Sequence, residues 1–149
     1  MALEYTLELV TDLSPEEALG VLSTLGVGFE TRLGRRLAST GVTVGAGVKS
    51  EVGRGIIRKA FGLDTSLYLS FGLDKTDREV GLKATLRATF EILRRLNADG
   101  ILLFNGESPV LMRQKGALRL NDGAGFWDSS SELLSLPQEP YEISYIEPL

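Results

Sequence analysis

The sequence predicts an α+β domain: a mainly antiparallel sheet of about six to seven strands with two helices packed on one face. Two observations carry this prediction. Short segments with apolar residues at every second position recur along the chain, and two segments carry apolar residues at helical spacing. The strands come in runs rather than alternating one by one with helices, which is typical of antiparallel sheets. The length of 149 residues corresponds to a single domain, 1–149.

The first strand and the first helix have clear sequence signals. Residues 3–10 alternate between apolar and polar side chains, which is the period of a half-buried strand. Ser14 then supplies a helix N-cap, Pro15 occupies the first helical position, and Glu17 completes a capping box. Apolar residues follow at helical spacing, so we expect a helix that ends at Gly26.

The next part of the chain predicts two strands and an irregular segment. Alternation over residues 27–33 and again over 42–48 indicates two strands, joined through residues 34–41. Residues 53–62 lie between glycines and hold a few apolar side chains, which fit a short helical turn or a loop. We expect an irregular excursion there.

A further strand precedes the second predicted helix. Residues 67–73 alternate between apolar and other side chains. Asp74 or Thr76 can cap a long helix that runs to about Leu96, since apolar residues then recur at a spacing of three and four. We expect this helix to lie on the same face of the sheet as the first one.

A hairpin follows the long helix. Residues 101–104 are a short apolar strand, and Asn105-Gly106 is the strongest signal for a two-residue hairpin turn. Residues 110–113 would be the partner strand. Because Pro109 has no N–H to donate, this partner should begin late or lie at an edge.

The last third of the chain predicts two more strands. A turn at Lys115-Gly116 leads into a strand over residues 117–120. Residues 129–131 are serines that fit the cap of a single helical turn. Residues 141–146 lie between two prolines and indicate a final strand.

The composition excludes several kinds of chemistry. The chain has no histidine and no cysteine, so it lacks Ser-His and Cys-His pairs and thiolate metal sites. The glycine-rich segments do not match a phosphate loop, because Val48 separates Gly47 from Lys49. The acidic loop that starts at Asn121 lacks the calcium-binding pattern. The sequence therefore predicts a protein without catalytic, metal or cofactor sites.

The compartment is predicted from two further features. Residues 1–5 do not combine a basic start with an apolar run, unlike a secretory signal. No stretch approaches the roughly 18 apolar residues that a membrane span requires. We therefore expect a cytoplasmic protein that does not act at a membrane.

Charge is segregated along the chain, although the net charge is only −4. Residues 1–30 hold six acids and no base, and residues 120–149 hold six acids and no base. Residues 32–59 hold seven bases and one acid. Two interpretations stay open: the ends pair with the middle across the sheet, or an acidic surface attracts a basic partner. The acidic balance argues against nucleic acid as that partner.

The C-terminal third combines these acids with aromatic residues, which are enriched at binding hot spots. Trp127 has two interpretations, a core residue beneath the C-terminal segment or an anchor at an interface. The candidate partner-binding residues are Asp122, Trp127, Asp128, Glu139, Tyr141, Glu142 and Tyr145.

Four segments carry a resemblance to a known family. They are residues 1–9 (MALEYTLEL), 13–17 (LSPEE), 101–107 (ILLFNGE) and 109–111 (PVL). They resemble the Sit-type immunity proteins of myxobacteria and actinobacteria. The resemblance implies a small cytoplasmic inhibitor that binds a polymorphic toxin delivered by kin and blocks it without catalysis. The implied partner is a cognate toxin domain. The acidic ends of this chain favour a toxin domain with a basic surface. We expect the chain to be a monomer or a weak homodimer.

Two alternatives to the inhibitor remain open at this stage. The chain could bind a small ligand or a phosphate, or act as an enzyme, through the basic segment that contains Arg54, Arg58 and Lys59. It could also self-associate, with the acidic ends of one copy against the basic middle of another. A deep pocket lined by those bases would favour the first alternative.

Overall fold

A computed structural model describes residues 3–31, 36–128 and 131–149. These residues form nine strands, three α-helices and two single-turn 3₁₀ helices, the latter at Asp122–Ala124 and Glu132–Ser135. In chain order the main elements are β1 (Leu3–Leu9), α1 (Pro15–Thr24), β2 (Glu30–Thr31), β3 (Leu37–Ser39), β4 (Val42–Val48), α2 (Glu51–Phe61), β5 (Leu67–Leu73), α3 (Arg78–Leu96), β6 (Gly100–Phe104), β7 (Ser108–Gln114), β8 (Ala117–Asn121) and β9 (Tyr141–Ser144).

All nine strands belong to one sheet, in the order β2-β3-β4-β5-β1-β6-β7-β8-β9. Every neighbouring pair is antiparallel except β8 and β9, which are parallel. The predicted α+β class with a mainly antiparallel sheet is confirmed. The described residues contain more strands than the six to seven expected, and three α-helices where two were expected.

The alternation of β1 places this strand at the centre of the sheet. Leu7 pairs with Leu69 on one side and with Leu102 on the other, and all three side chains are fully buried. Successive side chains of a strand point to opposite faces. The leucines of β1 therefore face one layer of helices, and Glu4 and Glu8 face the opposite side.

We call the side of the sheet that α1 and α3 cover the first face. The capping box of α1 forms as predicted: Glu17 N donates to Ser14 Oγ and Ser14 N donates to Glu17 Oε1, at 3.1 and 3.0 Å. Leu22 of α1 and Leu86 of α3 are fully buried in the same cluster as Leu7. Both predicted helices thus pack on one face.

The third helix corrects the irregular segment expected over residues 53–62. Ser50 caps α2 by accepting from Gly53 N at 3.1 Å, and Gly62 ends the helix in the left-handed conformation with φ +71°. Ile57 and Phe61 are one turn apart and bury against the opposite side of the sheet, which we call the second face. Helices therefore lie on both faces rather than on one.

The strand expected over residues 27–33 is shorter in the structure. Gly26 and Gly28 have φ of +74° and +89°, so the chain turns where extension was predicted, and β2 contains Glu30–Thr31 alone. Residues 32–33 of that prediction, and residues 34–35 of the predicted connection, lie outside the described residues. β3 forms where a connection was expected, because Gly41 with φ +81° allows a tight turn from β3 into β4.

The start of α3 also differs from expectation. The helix begins at Arg78 with Asp77 as its N-cap. Asp74 instead accepts from Thr76 N and Thr76 Oγ1, at 3.0 and 2.9 Å, within the turn before the helix. These bonds hold the pKa of Asp74 below its usual value.

The predicted hairpin turns are confirmed, but β7 is not an edge strand. Asn105-Gly106 and Lys115-Gly116 both have positive φ at both positions, as two-residue hairpin turns require. Pro109 lies inside β7, between β6 and β8, where the register against β6 shifts next to Leu103. This irregularity accommodates a residue without an N–H.

Candidate interaction surface

β9 forms one end of the sheet and carries two of the seven predicted partner-binding residues, Tyr141 and Glu142, with Tyr145 immediately after it. The predicted final strand over 141–146 is confirmed over Tyr141–Ser144. Among the described strands, β9 pairs with β8 alone. Tyr141, Ile143 and Tyr145 are 38%, 42% and 59% exposed, and the Glu142 side chain is 69% exposed. The last strand thus offers both its backbone edge and its side chains to solvent.

Arg119 of β8 holds β9 in place. Its Nε donates to Ser144 Oγ at 3.1 Å and its Nη2 donates to the carbonyl oxygen of Tyr145 at 3.0 Å. Glu142 Oε1 lies 3.5 Å from Arg119 Nε. One guanidinium therefore fixes the strand by two hydrogen bonds and partly balances an exposed carboxylate.

Asn121 holds the chain immediately after β9. Its Nδ2 donates to the carbonyl oxygens of Pro109 and Ile146, at 2.7 and 3.1 Å. Its Oδ1 accepts from Ile146 N at 2.8 Å and from Gly123 N at 3.1 Å. A buried amide with four partners is fully satisfied, so this segment has a defined position.

The structure groups four of the predicted residues at this end of the sheet, and we call them the acidic edge: Asp122, Tyr141, Glu142 and Tyr145. Glu142 and Tyr145 meet around Arg119. The Tyr145 ring lies against Gly123, next to Asp122, which is exposed. Tyr141 is the register neighbour of Leu118 and lies on the first face.

Two of the other predicted residues have roles in the interior. Trp127 is 5% exposed, donates from Nε1 to the Val110 carbonyl oxygen at 2.9 Å, and meets Phe90 edge to face. This corresponds to the core interpretation of Trp127. Glu139 accepts from Nε of the buried Arg113 at 3.0 Å and is half-buried. Asp128 is exposed.

Arg113 was not a candidate in the sequence, yet it connects three elements. Besides Glu139, it donates to the Ala98 carbonyl oxygen at 3.0 Å and to Asn97 Oδ1 at 2.8 Å. Asn97 ends α3 in the left-handed conformation. The guanidinium therefore ties the end of α3 to β7 and to the segment before β9. The run of apolar residues that precedes Arg113 in β7, residues 109–112, was the signal that this arginine is buried.

The basic segment proposed as a ligand site belongs to α2. Arg54 and Arg58 both donate to Asp64 Oδ1 at 2.9 Å. The hydrogen bonds from Arg58 and Arg54 hold the pKa of this exposed Asp64 carboxylate below its usual value. Two of the three bases thus already have a carboxylate partner, which fastens α2 to the loop that follows it.

A buried ion pair lies under the N-terminal end of α2. Lys49 Nζ donates to Glu8 Oε1 at 2.8 Å, and the two side chains are 16% and 5% exposed. Burial raises the pKa of Glu8 above its ordinary value, and the hydrogen bond and charge of Lys49 offset part of this rise. Glu8 Oε2 is buried without a hydrogen-bond partner. The pair joins the second face of β1 to the start of α2.

The described residues contain neither a metal-binding cluster nor a membrane-spanning helix. Within residues 3–31, 36–128 and 131–149, no three acidic side chains cluster in a way that could hold a metal ion. In the same part of the chain, no helix has the length and apolar character needed to cross a bilayer.

The described residues define a small α+β protein whose sheet ends in an exposed strand with an acidic side chain. A family model described as SitI3-like matches residues 3–131, and the chain belongs to this family. Membership agrees with the resemblance to the Sit-type immunity proteins. No curated protein and no solved structure matches the chain. The matched span ends before β9.

Proposed function

We propose that this chain is an immunity protein that binds a cognate toxin domain in the cytoplasm and neutralises it by covering its active surface. Membership of the SitI3-like family supports this function, since the family suggests an immunity protein. The single observation that carries the binding mode is the acidic edge, where charged and aromatic side chains surround an ordered, exposed strand.

The chemistry of the acidic edge favours a basic partner. Residues 120–149 hold six acids and no base. Arg119 is the nearby base on β8, and it is engaged with Ser144, Tyr145 and Glu142. A patch of one sign accelerates association with a surface of the opposite sign. Tyr141 and Tyr145 add amphipathic contact area of the kind that dominates binding hot spots.

Occlusion requires no catalytic group on the inhibitor. The buried charged residues Arg113 and Glu8 are both engaged with neighbouring elements of the same chain. A preorganised surface is sufficient, because an ordered strand loses little conformational freedom when a partner binds. The proposed inhibitor therefore acts through shape and charge alone.

Co-expression tests the function. This chain is expressed together with the toxin domain encoded beside its gene, and growth and co-purification are scored. We expect growth to be rescued and a stable complex to be isolated, whereas cells with the toxin domain and an empty vector should stop growing. Absence of rescue by this chain with every neighbouring toxin domain would overturn the proposal.

A charge reversal at each end of the sheet tests the acidic edge within that complex. Glu142→Lys should weaken binding roughly tenfold, about 1.4 kcal/mol, and the affinity of the unchanged chain should fall as salt rises. Glu30→Lys makes the same charge change on β2, at the opposite end of the sheet, and should leave the affinity unchanged. Equal effects of the two variants in a calorimetric titration would place the interface elsewhere.

A further inference from the structure

The backbone edge of β9 is open to pairing. β9 is bonded on one side to β8, and among the described residues no strand lies on its other side. Natural sheets protect an edge with charged side chains, above all lysine, with an internal proline, a bulge or a covering helix, or by keeping the edge strand very short. β9 has four residues and one acid, Glu142, but it contains neither lysine nor proline, and its pairing with β8 runs without a register shift. Tyr141, Glu142 and Ile143 are exposed.

We infer that the open edge of β9 binds an extended, basic segment of the toxin partner, which adds to the sheet as a further strand. This inference rests on the proposed function and names the part of the acidic edge that makes the main-chain contacts. Strand addition derives affinity from backbone hydrogen bonds and specificity from the side chains that alternate along the edge.

The side chains of β9 define the segment that fits. Glu142 lies on the second face next to Arg119, and Tyr141 and Ile143 lie on the first face beside Leu118 and Leu120. An added strand should therefore place a lysine or arginine beside Glu142 and apolar side chains beside Tyr141 and Ile143. Opposite charges and apolar pairs on neighbouring strands are both stabilising.

Charge argues against a second copy of this chain as the occupant. Pairing two β9 edges would bring together two segments, residues 120–149 of each copy, that hold six acids and no base. Like charges on neighbouring strands are destabilising. A basic segment from another protein has no such cost.

The edge strand β9 is also preorganised for binding. Arg119 fixes one end of β9, Asn121 fixes the chain just after it, and Leu149 N donates to the Glu107 carbonyl oxygen at 3.1 Å. A partner strand therefore meets a backbone that is already extended, which lowers the entropic cost of binding.

Hydrogen exchange on the complex tests the inference. The full chain is compared alone and bound to the co-purified toxin domain, by mass spectrometry of peptides that cover residues 139–147. We expect the outward-facing amides of β9 to exchange at least about tenfold more slowly in the complex, with no change in peptides over residues 37–48 at the far side of the sheet. A complex that forms while exchange at 139–147 stays unchanged would overturn strand addition and leave the proposed function standing.

Two proline variants provide a second readout. Alternate residues of a parallel strand direct their N–H groups to the same side, so one of Glu142→Pro and Ile143→Pro removes an outward N–H and the other removes a bond to β8. The variant that keeps the melting temperature should lose at least tenfold in toxin affinity. Full affinity in that variant would contradict the inference, as would a stable dimer of the free chain in light scattering.

Discussion

The two faces of the sheet are built on different principles. The first face packs α1 and α3 against a continuous apolar cluster of 24 buried residues. The second face has a cluster of seven, formed by α2 and the strands beneath it, and it also buries the Glu8–Lys49 pair. Toward β4, this second face exposes Thr43 and half-exposes Ser70 and Gly72. The first face supplies most of the apolar burial, while the second face combines a small apolar cluster with a buried ion pair.

The largest expected effect separates the two faces within a single strand. Leu102 and Leu103 are neighbours in β6, are 0% and 1% exposed, and belong to the clusters on the first and second face. Leu102→Ala should cost about 4 kcal/mol of unfolding free energy, because the large core around it cannot close the cavity. Leu103→Ala should cost about 2–3 kcal/mol, because a small cluster under one helix relaxes more easily. Urea denaturation measures both values.

Comparing the stability losses of Leu102→Ala and Leu103→Ala shows whether the two faces of the sheet are packed equally well or differently. A loss at Leu103 as large as that at Leu102 would show that the second face is as rigidly packed as the first. Unchanged slopes of the unfolding free energy against urea would show that both variants unfold from the same compact state.

A somewhat smaller effect is expected when the buried Glu8–Lys49 ion pair on the second face is broken. Lys49→Met leaves the buried Glu8 carboxylate without its partner and should cost about 3 kcal/mol near neutral pH. The pKa of Glu8 is already raised by burial and should rise further in the variant. Both proteins carry a protonated Glu8 below the unfolded-state pKa of about 4.5, so the loss should be smallest there and grow as pH increases.

The exposed Lys75 provides the matched control. Lys75→Met removes the same charge from the surface and should change stability by less than about 0.5 kcal/mol at every pH. Thermal unfolding between pH 4 and pH 8 measures both variants. A pH-independent loss for Lys49→Met would show that the Glu8 charge is not the reason for it.

The smallest effect is expected at two exposed carboxylates that bond to one helix on each face, Glu17 at α1 and Asp64 at α2. Bonds within the capping box lower the pKa of Glu17 at α1, and Arg58 and Arg54 lower that of Asp64 at α2. A lowered native pKa contributes stability above the unfolded-state pKa, and this is lost as pH falls through the native value. Glu17→Gln and Asp64→Asn should each flatten the acid side of the stability curve. If stability fell with decreasing pH as steeply in these variants as in the unchanged chain, Glu17 and Asp64 would not be the source of this pH dependence.

Much of the fold was predictable because local signals coincide with the tertiary structure. The capping box of α1, the alternation of β1 and the two-residue turns at Asn105 and Lys115 all have local causes. α2 was missed because Gly53 and Gly55 lower helix propensity. Its signals were present nonetheless: Ser50 as N-cap, the four-residue spacing of Ile57 and Phe61, and a terminal glycine.

The candidate surface was predictable only in part. The exposure of Tyr141 and Glu142 agrees with their acidic, aromatic context in the sequence. The parallel pairing of β9 with β8 could not be predicted, because the alternation of apolar and polar residues does not indicate which strands are neighbours. Glu139 could not be separated from the surface acids, because its partner Arg113 lies 26 residues away. Trp127 fitted two interpretations, and a hydrogen bond to a distant carbonyl places it in the interior.

The central position of β1 has a consequence for the order of folding. Leu3 pairs with Leu73 of β5, and Tyr5 pairs with Phe104 of β6. β1 is synthesised before both of these strands, so it cannot complete its pairing until both have left the ribosome. Strand pairings this far apart in sequence slow folding, because long loops must close before these long-range contacts can form. In a nascent chain that stops before β6, β1 can pair with β5 on one side only, and its other side has no partner strand. Completion of the domain therefore follows synthesis of its last third rather than accompanying synthesis.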